Sequence, residues 1–128
     1  MTPKEHWKQE PEEHDYPAAQ DYLSLVLSVQ EASAVVEALK NAPLSVRKAK
    51  DLLRASGLVA LPGTNVHVAK DLDKVRRGQR LSPVLLVRGD LASGAPLTVA
   101  DGYHRICASY HLDEDADIPC RLVDLPSA

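Results

Sequence analysis

The sequence predicts an α+β fold: a small mixed β-sheet with its helices, preceded by an N-terminal helical segment. Three observations carry this. Between residues 17 and 57 apolar side chains recur at helical spacing. Beyond residue 58 they come as short continuous runs bounded by turn residues, Val84 to Val87 being the clearest, which is how a buried strand reads. From residue 97 to 110 a strand run, a turn pair and a helical stripe follow one another directly.

At 128 residues the chain suits one domain with one core. With no Phe and a single Trp, that core must be built of Leu, Val, Ala and Ile. No apolar run approaches the roughly 20 residues of a membrane helix. No basic stretch followed by an apolar one marks a signal peptide. The expectation is a cytoplasmic protein that makes no use of a membrane. The formal net charge of −3 argues against a broad electrostatic hold on nucleic acid, so non-specific nucleic-acid binding is not expected. Cys107 and Cys120 lack C-x-x-C spacing and lie among apolar residues, and read as buried free thiols.

Residues 1–16 are rich in Lys, Glu, His, Gln and Pro and read as a flexible tail, ordered only where it docks. His6 and His14 lack a matching set of metal ligands. Residues 17–128 form a single domain, with 17–57 as a helical extension and 58–128 as the core. From Pro17, Tyr22, Leu23, Val26 and Leu27 line one face of a short helix. Ser28 and Glu31 form a capping box that opens a second helix, with Ala32, Val35, Val36 and Leu39 inward and Asn41 and Pro43 at its end. A third helix is predicted from Ser45 to Ser56, with Val46, Ala49, Leu52 and Leu53 inside and Gly57 as its stop. Its outer residues Arg47, Lys48, Lys50 and Arg54 read as a solvated face or as a basic wall for a phosphate or an acidic partner. Leu58 to Val68 reads as a strand-like run broken at Pro62-Gly63, and a short helix follows from Asp71 to Arg77, stopped by Gly78. Ser82-Pro83 leads into the buried strand Val84–Val87. Gly89 to Pro96 is a connecting loop, and Ile118 to Val123 is the last strand.

The chemistry concentrates at residues 97–111. Leu97 to Ala100 form a strand, Asp101-Gly102 a sharp turn, and Tyr103, Ile106, Cys107 and Tyr110 a helical stripe. A helix start offers unpaired N–H groups and the positive end of the macrodipole. Gly102 permits close backbone approach, and Arg105 adds a forked cation suited to phosphate. Together they describe an anion site. His104 suits a phosphate donor, a general base or a helix cap equally. Asp101 suits a metal ion on a phosphate, or closure of the turn. Tyr103 reads as a packed side chain, and His111 as a cation at a helix C-terminus.

The stretch Asp71 to Val123 resembles the core of the ParB/sulfiredoxin superfamily in its order of elements: short helix and Gly, Pro-apolar strand, second strand, Gly-x-x-Arg turn, helix with Ala108, and a closing Ile-Pro strand. The partition-protein turn is Gly-Glu-Arg-Arg, matched here by Gly102 and Arg105. The sulfiredoxin turn is Gly-Cys-His-Arg, matched by Gly102, His104 and Arg105, with Tyr103 at the Cys position. The turn of the free-serine-kinase-like branch, Asp-Gly-His-His-Arg, is matched by Asp101, Gly102, His104 and Arg105, the closest local likeness. The resemblance implies a nucleotide (ATP, ADP or CTP) with Mg²⁺, or another phosphate-bearing small molecule. Gly102, Tyr103, His104, Arg105 and His67 would bind it, and Asp101 and His104 would be catalytic; no ligand set for a resident metal is implied. The functions that follow are nucleotide or phosphate binding, Mg²⁺-dependent phosphotransfer or phosphohydrolysis, and a ParB-like nuclease. A non-catalytic module meeting a protein partner through the N-terminal helices is the further alternative.

Overall fold

Val84–Val87 forms strand β2 of a four-stranded sheet, and all four of its residues are buried. In the computed structural model, which describes residues 6–125, the elements follow the order α1 (Asp15–Leu23), α2 (Val29–Asn41), β1 (Leu44–Lys48), α3 (Ala49–Ser56), α4 (Val66–Arg76), β2, β3 (Thr98–Asp101), α5 (Tyr103–Leu112) and β4 (Asp117–Val123). The strand order is β1-β4-β2-β3. β1 runs antiparallel to β4, β4 parallel to β2, and β2 antiparallel to β3 with a register irregularity between Leu85 and Leu86. This is the small mixed α+β architecture that the sequence predicts.

The continuous apolar run of β2 has a direct cause. Successive strand residues point to opposite faces. Val84 and Leu86 join a core with Leu52, Leu53, Val68, Ile106 and Ile118, beneath α3, α4 and α5. Leu85 and Val87 join a second core with Ala19, Leu23, Val35 and Leu39, beneath α1 and α2. Helices therefore cover both faces. Residues 17–57 are not an extension beside a finished core, because α1 and α2 bury the second face and β1 adds a strand.

Several local expectations shift. α1 begins at Asp15 and ends at Leu23. Leu23 points inward with Ala19, but Tyr22 lies on the outer side of α1, and Val26 is exposed beyond the end of the helix. α2 carries both arms of its capping box: Glu31 N–H donates to Ser28 Oγ at 3.1 Å and Ser28 N–H to Glu31 Oε1 at 3.2 Å. The predicted third helix loses its first turn to the sheet. Leu44–Lys48 pairs along Asp117–Arg121, so Val46 lies 55% exposed on an edge strand and α3 starts at Ala49. Cross-strand pairing has overridden a helical apolar spacing here.

The strand expected over Leu58–Val68 is absent. Asn65 Oδ1 accepts the N–H groups of His67 and Val68 at 3.0 and 3.2 Å and caps α4, which therefore starts at Val66 rather than Asp71. The segment before it is held by three side chains one helical turn apart on α5. The Tyr103 hydroxyl donates to Val59 carbonyl at 2.5 Å, Leu61 N–H donates to Cys107 Sγ at 3.4 Å, and His111 Nε2 lies 2.6 Å from Leu61 carbonyl. His111 is thus a latch on this segment.

The tail expected over residues 1–16 is docked from His6 onward; residues 1–5 lie outside the described residues. Leu81 N–H donates to His6 carbonyl at 2.7 Å, and Lys8 N–H to Leu81 carbonyl at 2.8 Å. Trp7 is 5% exposed and belongs to the first core. A core without Phe takes its largest apolar body from this segment.

Trp7 is the chain's single Trp, so its fluorescence reports docking of the segment. Fluorescence and far-UV circular dichroism should show one coincident denaturant transition, and Trp7→Ala should lower stability by about 3–5 kcal/mol. An earlier fluorescence transition would identify the segment as a detachable strap. Cys107 and Cys120 are both buried, and burial pushes both thiols up. Both should label slowly in the native protein and rapidly after unfolding; fast native labelling would contradict this packing.

Candidate anion-binding site

The strand-turn-helix closes through Gly102. Its φ of +112° lies in the left-handed region. A Cβ there would sit 2.4 Å from Val84 Cγ1 and 3.0 Å from Arg105 Nη2, so both backbone conformation and space require glycine. Gly102 carbonyl accepts Ile106 N–H at 3.0 Å, but no side chain caps the first turn of α5. The residues of that first turn line one wall of a cavity of about 210 Å³.

The opposite wall is α4. His67, Lys70, Asp71 and Lys74 recur at spacings of three, four and seven from His67, which places them on one helix face, and all line the cavity. Asp101, Gly102, Tyr103, His104 and Arg105 complete it. The structure thus brings together every site residue named from the sequence. The rings of His67 and His104 lie 4.6 Å apart, centroid to centroid, tilted by 44°.

Arg105 does not hold the place expected for it. Its side chain is only 16% exposed. Nη2 donates to Asp101 Oδ2 at 2.8 Å and to Pro83 carbonyl at 3.4 Å, while Nη1 lies 3.7 Å from Asp15 Oδ1. Asp15 is buried at the start of α1, where its Oδ2 accepts Glu12 N–H at 2.9 Å. The guanidinium is therefore a brace between two carboxylates rather than a free cation. Lys70 and Lys74 line the same cavity and make no ion pair among the described residues.

Burial sets the protonation of the site. It pushes the Asp71 carboxyl above its ordinary value, against the pull of Lys74, Arg105, His104 and Lys70. It raises Asp101 likewise, the nearby Arg105 opposing and Asp15 adding to the rise. Burial, then the His67 and Arg105 charges, hold His104 below the usual imidazole value, so it is neutral at neutral pH. The Tyr103 phenol is raised by burial and occupied with Val59, which leaves its ring as lining.

Among the described residues no group of three or more His, Cys, Asp or Glu is arranged to hold a metal ion. Mg²⁺ takes one or two carboxylates together with phosphate oxygens. Asp101 Oδ2 is taken by Arg105, so the donor set fits an ion carried in by a phosphate ligand and held mainly by that ligand's oxygens.

Sequence reading missed Asp15, Lys70, Asp71 and Lys74. The last three were legible: Asn65 is a capping residue, and a helix begun there puts them in line with His67. Asp15 carries no local signal, because it meets Arg105 only through packing of α1 on β3. The chain matches no protein-family model, no curated protein and no solved structure.

Removing Arg105 leaves two carboxylates facing each other in the protein. Arg105→Ala should cost about 3–5 kcal/mol in urea unfolding, and adding Asp15→Asn should recover part of that loss. Strictly additive losses would show that the two do not interact. Asp71 behaves in the opposite sense. Its native pKa lies above the ordinary 3.8, so the stability it contributes is full below 3.8 and is lost as pH rises through the native value. Asp71→Asn should therefore raise the Tm at pH 7, and the gain should disappear below about pH 3.8. A gain that persists at low pH would assign it to packing instead.

Proposed function

We propose that the protein binds a small phosphate-bearing ligand between α4 and the start of α5, as a domain of ParB/sulfiredoxin type. The observation that carries this is the facing of an uncapped helix start by Lys70 and Lys74 across one small cavity. The N–H groups of the first turn of α5 supply directed donors and the dipole, and the two lysines neutralise charge. Neutral His104 supplies a further hydrogen bond, and Arg105 fixes Asp101 and the Gly102 turn. Drug-sized ligands occupy pockets of about 300–1,000 Å³. A cavity of about 210 Å³ suits a phosphoryl group with a small body, or the phosphates of ATP, ADP or CTP with the nucleoside outside it.

Asp71 favours a second reading, phosphoryl transfer. A half-buried carboxyl whose proton affinity burial raises, beside a neutral imidazole, is the environment of a general base for a hydroxyl acceptor. Mg²⁺ bound with the phosphates would supply charge neutralisation there.

A thermal-shift series with inorganic phosphate, ADP, ATP and CTP, each with and without Mg²⁺, tests the binding. A ligand at 100 times its Kd should add about 2.7 kcal/mol. The double variant Lys70→Ala/Lys74→Ala should lose that response while keeping its fold. No response to any of these, or an unchanged response in the variant, overturns the site. For the transfer reading, Asp71→Asn should retain the thermal response and lose turnover with hydroxyl acceptors.

A further inference from the structure

A larger cavity lies at the other end of β3. It holds about 530 Å³, within the range of small-molecule sites. Its floor is the half-buried Leu122 of β4, which lies beside its ladder partner Leu86 of β2, itself fully buried in the core beneath. Leu52 of α3 and Leu97, just before β3, form apolar walls, and Leu97 N–H closes the seam by donating to Ala55 carbonyl at 3.0 Å. The Gly89–Pro96 loop is the third side. It is set rigidly: Asp90 and Ala95 pair through their backbones, and a Cβ on Gly89 would meet Ala95 carbonyl oxygen at 2.5 Å. Leu91 stands 99% exposed on this loop and lines the cavity.

The rim is cationic. Arg47, Arg54 and Arg88 reach it from β1, α3 and the end of β2. Ser45 Oγ lies 3.6 Å from Cys120 Sγ, which puts the alternate β1 residue Arg47 on the same sheet face as the floor. Arg47 makes no ion pair among the described residues, while Arg54 lies 3.5 Å from Asp51 and Arg88 2.7 Å from Asp124. Those two pairs are solvent-exposed, so a ligand exchanges them at little cost. Asp51 and Asp90 also line the cavity and oppose a second negative charge.

We propose that this cavity is a second binding site, for a small organic acid with an apolar aliphatic or aromatic body and one carboxylate. The apolar body covers the floor at Leu122 and the wall at Leu97, and the carboxylate meets the arginines at the rim. Inorganic phosphate would leave that floor in water and gain no burial, so the two cavities take different ligands.

Titration of the full chain with octanoate, 1-octanol and acetate, followed by amide NMR, tests this. Octanoate should bind saturably, with shifts at Ala55, Gly89 and Leu97, and at least about tenfold more tightly than octanol or acetate, a difference of about 1.4 kcal/mol. The double variant Arg47→Ala/Arg54→Ala should bring octanoate down to the level of octanol. Ala55 is exposed, so Ala55→Trp should fold normally, block octanoate and leave any phosphate response of the α4–α5 cavity unchanged. Equal binding of octanoate and octanol, undiminished binding in Ala55→Trp, or no saturable binding overturns the proposal.

Discussion

The guanidinium of Arg105 holds three layers at one point. It belongs to α5 on one side of the sheet, bonds Asp101 at the end of the edge strand β3, and reaches past that edge to Asp15 at the start of α1 on the other side. Ion pairs taken out of water add little net stability, because desolvation offsets most of their attraction. They do make misalignment costly, since any displaced partner leaves a carboxylate or a guanidinium without its counter-charge. Arg105 thus sets where α1 lies on the sheet more than how strongly it lies there. The same bonds leave Asp101 turned toward Arg105 and fix the close approach of Gly102 to Val84.

That brace is local, and the bulk of the cohesion comes from β2. With Val84 and Leu86 in one core and Leu85 and Val87 in the other, the strand needs helices on both faces before its side chains leave water. Neither α1 and α2 alone nor α3, α4 and α5 alone can satisfy it. The N-terminal helices are consequently part of the folding unit, and Trp7 closes the first core from a segment that would otherwise be solvated. The absence of Phe makes this one indole matter.

The two cavities at either end of β3 differ in the way their walls are made. The smaller is walled by the first turn of α5, lysines, imidazoles and half-buried carboxyls, an environment for a compact, strongly charged group. The larger is walled by leucines with arginines at its mouth, an environment for an apolar body with one charge. Burial is the shared cause of the site's protonation: it keeps His104 neutral and raises Asp71 and Asp101 despite cations nearby.

By itself the sequence determined the elements whose signals are local. The capping box of Ser28 and Glu31, the buried run Val84–Val87 and the turn at Gly102 depend on neighbours a few residues away, and they stand in the structure where the sequence put them, though Asp101, read as part of the turn, is the last residue of β3, paired with Leu85. So did the gathering of Asp101, Gly102, Tyr103 and His104, which one turn and one helix start bring together. Local reading failed where two interpretations share the same residues. Leu44–Lys48 has apolar residues at spacings that fit a helix or an edge strand, and only the free edge of β4 settled it. The stretch before Asn65 looks extended, yet it pairs with side chains of α5 instead of a strand. Tertiary structure alone decided the rest: the docking of Trp7, the Lys70–Asp71–Lys74 wall opposite α5, and the pairing of Arg105 with Asp15. Those depend on which distant surfaces are buried against each other, and burial is a property of the assembled layers, which no window of neighbouring residues contains.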